Sequence, residues 1–306
     1  FGLTMTCAAH VQAVGQGFLG QLGIFGDEHL EGLTRLAKGI NDEDSLSVVQ
    51  LHHAGMRSPA ELIGQSPVCP SDHADTGAVA LSTEQVDQLI EDFILGAERA
   101  VTAGFDGVEI HGAHGYILAQ FLSGTVNQRQ DKYGGSIENR MRPITEIIKG
   151  IRARCPKNFL LGLRLSPERF DVHLPDIIEV AKRILADAKI DFLDMSLWDS
   201  FKEPEDEAFK GRSLLSYFTE LERGDVALGI AGKLRDPNEV RLAMEADIDF
   251  VLLGRAAILH HDFPLQMQAD SNFTPVSNPV STDHLREQGL GEAFITYMSS
   301  WKGFVS

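Results

Sequence analysis

The chain has 306 residues and a formal net charge of −17, from 44 acidic and 27 basic side chains. Its 43% hydrophobic and 23% charged residues suit a globular protein with a sizeable core and exclude a disordered one. The acidic balance, without a basic stripe, argues against a nucleic-acid partner, and no apolar run reaches the roughly 18 residues of a membrane span.

Three cysteines, Cys7, Cys69 and Cys155, stand far apart with no CxxC pair, so neither a zinc ribbon nor an iron–sulfur cluster is indicated. A reducing, cytoplasmic setting is expected. The chain opens at Phe1 without a basic leader, in a stretch that already reads like a strand interior. The expectation is that a preceding strand has been lost.

Short apolar runs alternate with longer amphipathic segments. The strand candidates are 3–8, 46–51, 107–111, 160–166, 192–196, 226–230 and 250–254, mostly continuous in hydrophobicity, as for strands covered on both faces. Ser82-Thr83-Glu84-Gln85 opens a helix with a capping-box pattern, and it runs to about Ala103 before Gly104. Segment 136–154 reads as one helix with Ile137, Met141, Ile144, Ile147, Ile148 and Ile151 on one face. Segments 175–186 and 237–246 each carry Pro in the first turn. Residues 283–301 read as a C-terminal helical tail. Stretches 12–26, 54–80 and 125–135 look like extended loops. Repeated strand–helix units predict a parallel sheet, and seven strands plus the missing first one make a (β/α)8 TIM barrel, in one domain over 1–306.

Polar residues gather at the strand ends: Gln50 before His52-His53, Glu109 and His111, Arg164, Asp194 and Ser196. In a (β/α)8 barrel these ends form the functional rim. Gly232 and Gly254-Arg255 follow the last two strands, where backbone amides and an arginine suit a phosphate; such glycine loops also serve as plain turns. The segment His111-Gly112-Ala113-His114-Gly115-Tyr116 puts two imidazoles and a phenol within six residues. Paired imidazoles can hydrogen-bond one oxygen and the phenol can deliver a proton, with a metal pair or a structural pair as alternatives. Buried Gln50 calls for a polar partner, either a flat heteroaromatic or a backbone turn. Arg164 calls for an anion or an electron-rich partner, or a buried salt bridge.

These segments resemble the Old Yellow Enzyme family of NAD(P)H:flavin oxidoreductases over essentially the whole chain. The resemblance rests on Gln50-Leu51-His52-His53-Ala54-Gly55, on Gly104 to Tyr116, and on Phe121-Leu122-Ser123. It continues through Asn127-Gln128-Arg129, Asp131 to Ser136, Glu138-Asn139-Arg140 and Leu253-Gly254-Arg255. It implies bound FMN, with NADH or NADPH as a transient reductant. Ala8 would meet the flavin ring through backbone, Gln50 its pyrimidine edge and Arg164 its N1/O2 edge. Gly232, Gly254 and Arg255 would hold the phosphate. His111 and His114 would bind the substrate's oxygen, and Tyr116 would protonate the α-carbon. The implied reaction sends hydride from flavin N5 to the β-carbon of an α,β-unsaturated carbonyl compound, an ene-reduction. Flavin-dependent amine or N-methyl oxidation, or an inactive truncated paralogue, stand as alternatives. The partner is a small molecule, with no metal, and in some relatives the tail completes a neighbour's site, so a homo-oligomer is an expectation. Two local departures are Met56-Arg57, where Arg often follows His-Ala-Gly directly, and Cys7, where acidic Glu is common.

Overall fold

Parallel strands wrapped by helices need apolar side chains on their outer face, whereas their inner face is free to carry function. The computed structural model describes residues 1–306. In chain order its strands are β1 (Leu3–Met5), β2 (Ala9–His10), β3 (Leu46–His52), β4 (Val68–Cys69), β5 (Val79–Ala80), β6 (Gly107–Gly112), β7 (Leu160–Leu165), β8 (Phe192–Ser196), β9 (Ala227–Ala231) and β10 (Phe250–Val251). The large sheet runs β1-β3-β6-β7-β8-β9-β10 with every neighbour parallel, and β2 also pairs with β3. It is the curled sheet of a (β/α)8 barrel, with β1 and β10 as its edges. β4 and β5 form a separate two-stranded ribbon inside the 54–80 loop.

Alternation along the strands divides the residues cleanly. Val49 and Leu51, Val108 and Ile110, Leu161, Leu163 and Leu165, Leu193 and Met195 all join one core of 57 buried residues that also contains the inner faces of the helices. Gln50, Glu109, Arg164 and Asp194 have the opposite parity and face inward. Below them the interior is filled by Phe192 and Phe250, whose rings meet edge-on at 5.8 Å. Gly162 and Gly229 make room for them: a Cβ at either would run into the neighbouring phenyl ring.

The helices follow their local signals. Helix Thr83–Ala103 starts at a complete Ser82/Gln85 capping box and ends at Gly104, φ +85°. It packs against helix Arg142–Arg154. Gly150 permits that approach, since a Cβ there would strike Ile94. The 125–135 loop is stapled by its own polar residues: Asn127 Nδ2 donates to the carbonyls of Phe121 and Tyr133, each at 2.8 Å, and Arg129 donates to the Pro70 carbonyl at 2.9 Å.

Four expected elements differ. The strand over 3–8 is interrupted between β1 and β2, because the Gln50 amide donates to the Thr6 hydroxyl at 3.2 Å instead of to a main-chain carbonyl. The helix over 136–154 divides at Met141 into Ile137–Arg140 and Arg142–Arg154, with Pro143 in the first turn of the second. The tail over 283–301 divides into Thr282–Glu287 and Glu292–Ser299 around Gly289, φ +84°. The last strand is shorter, Phe250–Val251 rather than 250–254. The tail has its own small cluster, in which Leu259, Val280, Leu285, Ile295, Met298 and Phe304 bury one another. No helix is long and apolar enough to cross a membrane.

Candidate active site

The turn after β6 builds the centre of the site. His114 (φ +59°) and Gly115 (φ +71°) both take left-handed backbone, which brings His114 back over His111. A Cβ at Gly115 would lie 3.0 Å from Phe170 Cβ on a backbone that already disfavours one. The His114 amide donates to Ser166 Oγ at 3.0 Å, and Arg57 Nη1 donates to the His114 carbonyl at 2.6 Å.

All four imidazole nitrogens of the pair are engaged. The Ala113 amide donates to His111 Nδ1 at 3.4 Å, His111 Nε2 lies 3.3 Å from His114 Nδ1, and His114 Nε2 lies 2.7 Å from Ser196 Oγ. An acceptor at His111 Nδ1 puts that ring's proton on Nε2, which makes His114 Nδ1 an acceptor and leaves His114 Nε2–H to donate to Ser196. The two rings are thus hydrogen-bonded to each other in series. Burial holds both neutral: His114 is pushed down to about 3, with Arg164 and Arg57 adding to the effect, and His111 lies well below the usual imidazole value. Tyr116 sits 5.1 Å from His111, ring to ring, and burial raises its phenol pKa against the opposing charge of Arg57.

Beneath this turn lies a polar floor. Gln50 Nε2 donates to Glu109 Oε1 at 2.5 Å, on paired positions of β3 and β6. Arg164 Nε is 2.9 Å from Asp194 Oδ2, although Nε and both carboxylate oxygens lack a hydrogen bond of good geometry. Arg164 therefore lies beside the carboxylate that its salt-bridge alternative called for, whereas Gln50 meets the Glu109 carboxyl group, a partner named in neither of its alternatives.

Sequence reasoning left two residues out of the centre. His52 shares the inward parity of Gln50, and its ring lies 5.4 Å from His111 and 4.4 Å from Tyr116. Burial pushes it down to about 3, and its Nδ1 has no partner. Arg57 places its guanidinium 5.1 Å from the Tyr116 ring centre. The signal was the His52-His53 doublet: residues of opposite parity must part company at a strand end. His53 indeed turns aside, meeting Gln12 Oε1 at 3.1 Å and accepting from the Gly55 amide at 3.0 Å.

The remaining candidates lie around the rim. Ala8 is buried, and its carbonyl accepts from Gln21 Nε2 at 3.1 Å. Gly232 follows β9 and packs against the loop after β8, with its carbonyl accepting from the Ser200 amide and hydroxyl; a Cβ would lie 2.9 Å from the Ser200 nitrogen. Gly254 opens helix Arg255–Leu259 with free space around its Cβ position, and Arg255 is exposed beside it. The tail reaches the same side of the molecule: the Tyr297 ring stacks on Phe18 at 5.8 Å and 17°.

These residues fit a bound FMN. A guanidinium with an unmet donor and a buried primary amide stand at one end, and Gly254, with free space at its Cβ position, stands beside exposed Arg255 after the last strand. Residues 1–273 match the model of the NADH:flavin oxidoreductase / NADH oxidase family. The chain is 34% identical over 277 residues to "Probable NADH-dependent flavin oxidoreductase YqiG" of Bacillus subtilis, covering 87% of this chain and 74% of that one. It is 32% identical over 272 residues to NADH:fumarate oxidoreductase of Klebsiella pneumoniae, covering 83% of this chain but only 29% of that much longer protein. The old yellow enzyme homologue from Zymomonas mobilis superposes with a TM-score of 0.77 at 26% identity, over 89% of this chain and 81% of that one. By fold, extent of match and the chemistry of its rim, the chain belongs to the NADH:flavin oxidoreductase / NADH oxidase family, the FMN- and nicotinamide-dependent oxidoreductases of Old Yellow Enzyme type.

Proposed function

We propose that this enzyme reduces carbon–carbon double bonds conjugated to a carbonyl or carboxyl group, with NADH or NADPH as the electron source. The observation that carries the reading is the series of neutral imidazoles, His111 to His114, beside a protonated phenol and above a buried guanidinium. FMN, when bound, would supply the hydride chemistry. This chain's residues do the rest. Gln50 and Arg164 would face the polar edge of the ring, the Ala8 backbone would border it, and Gly232, Gly254 and Arg255 would hold its phosphate.

His114 Nε2–H, which donates to Ser196 Oγ at 2.7 Å, is the donor that a substrate oxygen would receive in place of the serine. His111 Nε2–H backs it through His114 Nδ1. Because burial keeps both rings neutral, they polarise the oxygen without giving up a full proton, and the β-carbon becomes electron-poor. Tyr116 retains its proton well above neutral pH and delivers it to the α-carbon. That one relative is named for fumarate, an alkene flanked by carboxyl groups, supports this substrate class.

The test is a two-step anaerobic titration of the FMN-loaded protein. NADH should bleach the flavin, and 2-cyclohexenone or fumarate should restore its colour. A bleached flavin that none of the activated alkenes reoxidises contradicts the reading. Bleaching by an amine without nicotinamide would replace it with amine oxidation.

A further inference from the structure

The proposed reaction uses Gln50 and Arg164 but not the two carboxyl groups that hold them. Glu109 and Asp194 are each 0% exposed, deeper than any other acidic side chain of the chain. Glu109 has one hydrogen bond, from Gln50, and its Oε2 has no partner. Asp194 has one cation, Arg164. A buried pocket therefore contains two carboxyl groups and a single guanidinium. With both acids ionised it would carry an uncompensated negative charge, which a low-dielectric interior does not tolerate. One proton stays. Asp194 sits directly on the guanidinium, so the proton falls to Glu109, on the oxygen that Gln50 leaves free.

The groups facing Glu109 are few. They are Gln50 from β3, Arg164 from β7, Asp194 from β8, and Cys7 from the segment between β1 and β2. Met5 of β1 approaches through its sulfur, 3.9 Å from Gln50 Nε2. Burial and the Asp194 charge raise the Glu109 carboxyl, and Arg164 and the Gln50 hydrogen bond work against them. Any added negative charge near Arg164 offsets the one cation present and strengthens the hold on the proton.

We infer that Glu109 is a positioning residue of the flavin edge: its carboxyl fixes Gln50 and, paired electrostatically with Asp194 through Arg164, binds one extra proton when the ring beside Arg164 gains negative charge. The inference rests on the reading that Gln50 and Arg164 face FMN. The hydride delivers two electrons and a proton to the ring. In the interval of pH where Glu109 is ionised beside the oxidised ring and protonated beside the reduced one, the further proton comes from solvent to its carboxylate and returns when the ring is reoxidised. No bond to the substrate changes. The consequence is a flavin potential whose pH dependence is set by a side chain that never touches the substrate.

The experiment is an equilibrium reduction of the FMN-loaded protein across pH, for the native chain, Glu109→Gln and Asp194→Asn, with redox-difference infrared spectra of each. The native protein should show an interval of pH in which reduction consumes one more proton per two electrons than outside it, together with a protonated-carboxyl stretch that grows on reduction. Glu109→Gln, of nearly equal shape, should lose both the interval and the band while keeping FMN. Asp194→Asn should move the interval to lower pH, because the neighbouring negative charge is gone. A native slope that is the same at all pH, or one that Glu109→Gln leaves unchanged, overturns the inference while leaving FMN binding intact. If Glu109→Gln does not fold, an Asp194→Asn interval that stays in place overturns it. Protein that remains colourless with FMN fails at an earlier and separate step, and takes the functional reading down with it.

Discussion

The two faces of the same strands obey different rules. Outward, Leu163, Ile110 and Leu193 enter a core shared with the helices. One residue along, Arg164, Glu109 and Asp194 face inward and form a floor of ionisable groups. The outer face needs only volume and hydrophobicity, so many side chains would serve. The inner face needs particular atoms at particular distances, and each of its members depends on a partner from another strand. Stability therefore belongs mainly to one face and chemistry to the other, and substitutions at adjacent positions separate them.

The largest effect is expected on the inner side. Tyr116→Phe keeps the ring that packs against His52 and His111 but removes the proton, so kcat for enone reduction should fall by about 10²- to 10⁴-fold with FMN affinity unchanged. A loss confined to KM would break the division of roles. Next comes Leu163→Ala on the outer face of β7. It should cost about 2–5 kcal/mol in denaturant unfolding, while FMN affinity and the rate per folded molecule stay close to native.

The third prediction concerns pH. His52, His53 and His114 are held down to about 3 by burial, and His111 lies well below its usual value. Their folded-state values lie below the 6.5 of a free imidazole, so their contribution is complete above pH 6.5. It is lost as pH falls from there toward about 3. Thermal melts should drop through that window, and His53→Gln should make the drop shallower. A melting temperature that is flat down to the carboxylate range would show that these rings are not buried as described. The smallest effect belongs to the helices: Ser82→Ala removes one half of a capping box and should cost about 1 kcal/mol, with turnover unaffected.

The outer face was legible in the sequence because hydrophobic period and caps are local. The Ser82/Gln85 box and Gly104 bracket the longest helix as expected. Where a local signal competed with periodicity, periodicity was misleading: Pro143 splits one apolar stripe into two helices, and Gly289 divides the tail. The inner face was legible only as a set of polar strand ends. Which groups meet there depends on register between strands that lie far apart in the chain. Gln50 finds Glu109, 59 residues away, and Arg164 finds Asp194 on the next strand. No spacing rule announces such pairs. His52 was given no role for a related reason, since only strand parity distinguishes it from its neighbour His53.

In the proposed function the His111–His114 pair stands over a flavin and binds an oxygen there. The most direct measurement is the visible spectrum of the FMN-loaded protein titrated with 4-hydroxybenzaldehyde, compared with that of His114→Ala. The native protein should develop a long-wavelength charge-transfer band as the phenolate stacks on the ring, and His114→Ala should lose that band while retaining its flavin. An unchanged band in the variant, or a native protein that binds FMN and gives no band at all, would contradict the claim.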